Sequence, residues 1–266
     1  MKSTLSRIED IKRNGYSLDF STVFTHAFEN YKKIALYSGL IILVFSIFFG
    51  MAVMAGLATY LGVENISKDF IEKFDPQNLT YVELIFSTAA VSFITALAAP
   101  FGAGFLKMAD SADQDISFNV STIFTYYKAP YFPQIFIAAF LPTLIGTSIA
   151  NFLDSIGVLL VGNLISFIIS YFMFLTIPLI VFGNLRAIDA IKGSIAIVTK
   201  DPIIIFAFFI VGFFGSMVGF FGCCIGIIFT AVFNTSVTYA VYFAIFEVEN
   251  TKKDPIDSIG ESDYKY

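Results

Sequence analysis

From Ile203 to Phe246 the chain runs 44 residues without a single charged side chain. As one helix rising 1.5 Å per residue this stretch would extend about 66 Å, more than twice the roughly 30 Å hydrocarbon thickness of a bilayer. It must therefore fold back on itself as two spans of about 20 residues. The expected crease is Gly219-Phe-Phe-Gly-Cys-Cys-Ile-Gly226, where glycines tolerate a sharp turn and no polar residue calls for an aqueous loop.

The rest of the chain obeys the same constraint. Hydrophobic residues make up 57% of it and charged residues 14%, against roughly 25% charged in an average soluble domain, which places it in the polytopic membrane class. Cys223 and Cys224 sit side by side inside the apolar run, with no other cysteine to pair with, and read as small packing residues. A long polar lead precedes the first apolar segment, an arrangement unlike a cleavable signal peptide.

In chain order, Ser3 to Arg13 is expected to form a peripheral helix, with Ser6 and Glu9 at capping-box spacing and Gly15 to end it. In Ser21 to Lys33, Val23, Phe24, Ala27, Phe28 and Tyr31 share one helical face, the pattern of an amphipathic helix lying in the interface plane. Spans one and two are expected over Ile34 to Leu61 and Glu83 to Lys107. They are joined by a polar loop in which Ile66, Phe70 and Phe74 mark a surface helix. Ser121-Thr-Ile-Phe-Thr125 then echoes Ser21-Thr-Val-Phe-Thr25, with Tyr131 standing where Tyr31 stood. Spans three and four follow over Tyr131 to Asn151 and Ser155 to Phe182. A third amphipathic segment, Leu185 to Asp201, leads into the last pair. The unit of amphipathic helix, span, tight turn and span thus occurs three times, the signature of an internal repeat.

Lysine and arginine fix an expected orientation. Fourteen lie in the N-terminal, central, fourth-to-fifth and C-terminal segments and two in the loop after span one, which by the positive-inside rule puts both termini in the cytoplasm and, in a bacterium, the chain in the inner membrane.

Chemistry at depth would need ionisable groups inside the spans, and none is expected there: Glu83, Lys107, Asp154 and Arg186 fall at span ends as interfacial anchors. His26, the only histidine, falls on the polar face of the first amphipathic helix and reads as solvated surface. No metal-ligand cluster, nucleophile elbow or phosphate loop occurs, so no enzyme activity and no cofactor are expected. Uncharged polar residues do recur at helical spacing: Thr88, Ser92 and Thr95 in span two, Asn163, Ser166 and Ser170 in span four, and Thr230, Asn234 and Thr238 in span six. Such stripes either join helices by hydrogen bonds or line a polar path. Pro142 and Pro178 free backbone carbonyls that a neighbouring helix or a cavity must satisfy.

Four stretches resemble a widespread bacterial six-span family of unknown function, the YciC-like group, related to the membrane domain of some glycerophosphoryl diester phosphodiesterases. They are Phe20 to Lys33, Ser121 to Tyr127, Tyr171 through Pro178-Leu-Ile-Val181, and Ala187 to Ser194. The resemblance covers about residues 18 to 248 and implies no catalytic residue, because the chain has no room for a soluble phosphodiesterase barrel.

The expected protein is an all-α integral membrane protein of six transmembrane helices in three hairpins, each preceded by a cytoplasmic amphipathic helix. Residues 1–17 form an N-terminal cytoplasmic segment, 18–248 the membrane domain and 249–266 a disordered acidic tail. The expected role is a lipid-organising or partner-binding membrane domain of the envelope, contacting lipid or partner through Phe24, Phe28, Tyr31, Phe124 and Tyr127. The alternative is a permease or flippase for an uncharged or amphiphilic substrate, its path lined by Asn163, Ser166, Ser170, Asn234 and Thr238. Expected partners are the lipid bilayer and a second membrane protein or another copy of the chain, not nucleic acid.

Overall fold

A computed structural model describes residues 4–61, 79–158, 160–221 and 226–246. The expected surface helix at Ile66 to Phe74, the centre of the glycine crease and the acidic tail lie outside the described residues. Within them the regular secondary structure is helical, and six helical segments are long and apolar enough to cross a bilayer: Phe20–Gly56, Tyr81–Asp113, Tyr131–Ser155, Val161–Val181, Pro202–Phe221 and Gly226–Phe246. These define a multi-pass membrane protein.

Helix α1 (Thr4–Asn14) is not a free peripheral helix. It buries Ile8 and Ile11, and Arg7 donates to the carbonyl of Ile245 at 3.3 Å. Gly15, at φ +76°, lets the chain leave in the left-handed conformation, and Tyr16 then donates to the Ile197 carbonyl at 3.0 Å. Burial, and after it the negative Asp201 and Tyr171, push the Tyr16 phenol well above its ordinary range, so it stays a neutral donor.

Helix α2 (Phe20–Leu61) corrects one expectation. The amphipathic segment Ser21 to Lys33 and the first span are one unbroken helix. Asp19 caps it by accepting from the Thr22 amide at 2.7 Å, and hydrogen bonds from Thr22 hold its carboxyl below the usual range. No proline or glycine occurs from Phe20 to Ser38 to turn the chain into the interface plane. The echoing segment starts the same way and ends differently. Asn119 caps α4 (Val120–Ile123), accepting from Ser121 at 3.0 Å, and Val23 and Ile123 are both buried. Only a 3₁₀ turn (Thr125–Tyr127) follows, and Pro130 lies just beyond it.

Helix α3 (Tyr81–Asp113) opens on a capping box between Thr80 and Glu83 and contains Pro100. It packs on α5 (Tyr131–Ser155), and α5 packs on α6 (Val161–Phe172). The same span continues after a break as α7 (Thr176–Val181). Helix α8 (Ala187–Lys200) runs under this group. The last pair is α9 (Pro202–Met217), a 3₁₀ turn (Val218–Phe221), α10 (Gly226–Thr230) and α11 (Phe233–Phe246). The backbones of Gly219 and Gly226 touch, so closely that a side-chain carbon on Gly219 would collide with the carbonyl of Gly226, which is why the crease needs glycine there.

Two groups of spans result. Helix α11 packs on α2 and α9, while α3, α5 and α6 form a second layer. The groups meet along α2 and α3 from His26 and Asp113 up to the edge-on pair Phe45 and Phe101. Beyond that pair the far halves of both helices carry exposed apolar side chains such as Phe48, Phe49, Ile85 and Phe86. In a bilayer these meet acyl chains at no hydrophobic cost.

Candidate functional site: a cavity between four spans

The break in the fourth span is built by sequence. Pro178 has no N–H to give the carbonyl of Phe174, and the helix opens over Met173, Phe174 and Leu175. Ser194, fully buried on α8, staples the opening: its hydroxyl donates to the Phe172 carbonyl at 2.7 Å and accepts from the Leu175 amide at 3.1 Å. Ser194→Ala removes both partners at once from buried backbone groups. The expected cost is about 2 to 3 kcal/mol, read as an earlier unfolding transition of the detergent-solubilised protein; an unchanged transition would mean that the break is held by packing alone.

Beside this break lies a cavity of about 440 Å³ lined by α3, α5, α6, α7 and α11. Its apolar wall includes Ala103, Leu106, Ala138, Met173 and Phe174, and its polar wall Thr143, Thr147, Ser166, Ser170, Asn234, Thr235 and Thr238. Among the described residues no charged side chain lines it. Pro142 lines it too and withholds a donor from the carbonyl of Ala138, as Pro178 does from Phe174.

The polar stripes thus divide. That of span two joins it to span three: Ser92 and Thr147 lie 3.2 Å apart and Asn151 donates to Thr88 at 2.8 Å. In the last pair Thr230 donates to the Ser216 carbonyl at 2.7 Å. The stripes of spans four and six converge on the cavity. Ser166 reaches the Gly146 carbonyl at 3.2 Å, but Ser170 and Thr238 donate only to their own helices, to Ser166 at 2.9 Å and Asn234 at 2.8 Å. The Asn234 carboxamide makes no hydrogen bond with any described residue. Its oxygen lies against Gly212, where a side chain would collide with it. Asn163 is exposed and does not line the cavity; it sits one turn nearer the Leu160 end of α6.

At the Asp113 end of α3 the structure holds a polar joint that sequence reasoning missed. His26 Nε2 lies 3.0 Å from Asp113 Oδ1, and the Tyr239 hydroxyl donates to Asp113 Oδ2 at 3.1 Å. Asn30, buried, donates to the Ala109 carbonyl at 2.7 Å and accepts from Ser236 at 3.0 Å. Lys107 pairs with the buried Asp110 at 2.6 Å. His26 is therefore not solvated surface but a contact between α2, α3 and α11. The reason is that α3 continues two turns past Lys107, the residue expected to end the span, and its last turns carry paired rather than solvated charge. The one legible signal was spacing: His26 and Asn30, and on α3 Asp110 and Asp113, are each one helical turn apart.

Of the aromatic candidates, Phe24, Phe28 and Tyr31 lie at this end of α2, while Phe124 and Tyr127 lie farther along the bundle, against Phe45 and the middle of α3. Phe24 stacks between Phe20 and Phe28, and Tyr31 meets Phe233 edge-on. Phe124 tilts against Phe45, while Tyr127 donates to the Leu97 carbonyl at 3.0 Å. Phe28, Phe124 and Tyr127 keep exposed faces. Between the last two, Tyr126 is buried, and burial, followed by the nearby Tyr131 and Asp110, pushes its phenol above the ordinary range. Among the described residues no group of three or more histidine, cysteine, aspartate or glutamate side chains is placed to hold a metal ion.

Compared with protein-family models, with curated proteins and with solved structures, the chain matches none of them. Composition and architecture define the class, a multi-pass helical membrane protein with six candidate spans among the described residues.

Proposed function

We propose that this is a non-enzymatic inner-membrane protein whose central cavity takes an uncharged or amphiphilic molecule and passes it through or between the leaflets, as a permease or flippase does. The observation that carries the reading is Asn234. An amide at mid-span without a hydrogen-bond partner among the described residues costs several kcal/mol in a medium that cannot hydrogen-bond, and on this reading the cavity that Asn234 lines holds water or a ligand. A broken helix beside such a cavity is the arrangement in which transporters place their sites. On this reading the spans form three hairpins, each led by a cytoplasmic amphipathic segment, with both termini in the cytoplasm, an orientation that the lysine and arginine distribution supports. The resemblance to the YciC-like group belongs to the same proposal.

The test is transbilayer exchange in proteoliposomes, followed by quenching of a head-labelled neutral lipid from outside. The protein is expected to speed exchange at least tenfold over protein-free vesicles, and Asn234→Ala to remove about tenfold of the gain, the worth of one hydrogen bond to a buried polar group. Equal rates with and without protein would defeat the transport reading. The lipid-organising role would then be favoured, because Phe28, Phe124 and Tyr127 keep apolar surface exposed.

A further inference from the structure

The hydrogen-bond inventory of the cavity wall is lopsided. Thr147 gives its hydroxyl hydrogen to the Thr143 carbonyl at 2.7 Å, and Ser166, Ser170 and Thr238 give theirs to backbone carbonyls as described above. Each of these oxygens keeps lone pairs for an acceptor role. The carbonyls of Ala138 and Phe174, deprived of helical donors by Pro142 and Pro178, add two more acceptors on residues that line the same space. Against them stand the carboxamide N–H groups of Asn234 and the hydroxyls of Thr143 and Thr235, none of which bonds to a described residue. Acceptors prevail, and among the described residues no lysine or arginine lines the space to balance an anion.

We infer that the ligand is a neutral amphiphile whose head is rich in hydrogen-bond donors, a hydroxylated lipid of the monoacylglycerol kind, and not an anionic phospholipid. This rests on the reading of the cavity as a binding site given above. A phosphate would bring only acceptors to a wall of acceptors and carry a charge into a site without a counter-ion, which is costly at this depth. A polyol head offers hydroxyl hydrogens to the waiting oxygens and accepts in turn from Asn234. Its acyl chain lies along Ala103, Leu106, Ala138 and Met173. The volume of about 440 Å³ suits the head and the first part of one chain.

The test is protection of a thiol inside the cavity. The full chain carrying Cys223→Ala and Cys224→Ala receives Ser170→Cys or, in a second variant, Thr238→Cys, and is placed in phosphatidylcholine nanodiscs. Labelling by a small maleimide is timed with monoacylglycerol, lysophosphatidylglycerol or an alkyltrimethylammonium of equal chain length present. The expected result is at least fivefold slower labelling with monoacylglycerol, little change with the other two, and loss of that protection on adding Asn234→Ala. Stronger protection by the anionic or the cationic amphiphile overturns the ligand class while leaving the cavity as a binding site. Labelling that no amphiphile slows overturns binding itself. Absence of labelling at both positions, in protein with an unshifted thermal transition, overturns the open cavity and the ligand class with it. Two cysteine positions guard against one variant failing to fold.

Discussion

Asp113→Ala is expected to be the most destabilising single side-chain truncation at the joint between the two groups of spans. The carboxylate accepts from His26 on α2 and from Tyr239 on α11, so its loss leaves a fully buried phenol and a half-buried imidazole without their acceptor. Each buried donor left without its acceptor costs about 1 to 3 kcal/mol. The side chains of His26 and Asp113 are 32% and 13% exposed, which screens part of that, and a cost of about 2 to 4 kcal/mol is expected. The measurement is thermal unfolding in mild detergent. Asp113→Asn, which keeps an acceptor oxygen, should recover roughly half of the loss, and Tyr239→Phe should cost less than the aspartate change. If Asp113→Ala unfolds within the scatter of surface substitutions, about 0.5 kcal/mol, the joint does not hold α2, α3 and α11 together.

Gly104→Val should cost as much for the opposite reason. A side-chain carbon on Gly104 would run into the backbone of Ile123, whose carbonyl and Cα cannot move aside without dislodging α4. Overpacking of this kind costs about 1 to 3 kcal/mol, and more where backbone must shift. The same helix supplies the control, since nothing lies within 4 Å of a side-chain carbon placed on Gly102. Gly102→Ala should leave the unfolding transition where it was. Because Gly102 lines the cavity, that variant also separates loss of ligand space from loss of the fold. Equal effects of the two substitutions would show that α3 does not meet α4 as described.

The two glycines also illustrate what could be read beforehand. Glycine at 102 and at 104 permits a close approach of backbones, but the sequence does not say which of the two makes it, because helical spacing assigns a face and not the neighbour across it. The six spans were legible because apolar length is a one-dimensional property. Where α2 begins was not: Lys32 and Lys33 resemble the end of a separate interfacial helix, yet Lys33 reaches the Ala112 carbonyl and Asp115, each at 3.0 Å, so the chain has no cause to turn. The Asn234 and Thr238 stripe was visible in sequence, and so was the Ser170 stripe. Their meeting at one cavity was not, since it depends on how span four breaks and on Ser194, a residue 19 positions beyond the amide it holds. His26 was misread because its partner lies 87 residues away.

On the proposed reading, uncharged polar groups from the fourth and sixth spans face an open cavity within the membrane. The most direct measurement is labelling of single cysteines by a membrane-impermeant thiol reagent in sealed vesicles and after permeabilisation. The background is Cys223→Ala and Cys224→Ala, and the positions are Ser170, Asn234 and Thr238, with Phe86 as a lipid-facing control. Labelling is expected at Ser170→Cys and Thr238→Cys at rates well above that of Phe86→Cys. Silence at all three cavity positions, in protein that elutes and unfolds like the parent, would contradict it and leave the stripes as helix packing.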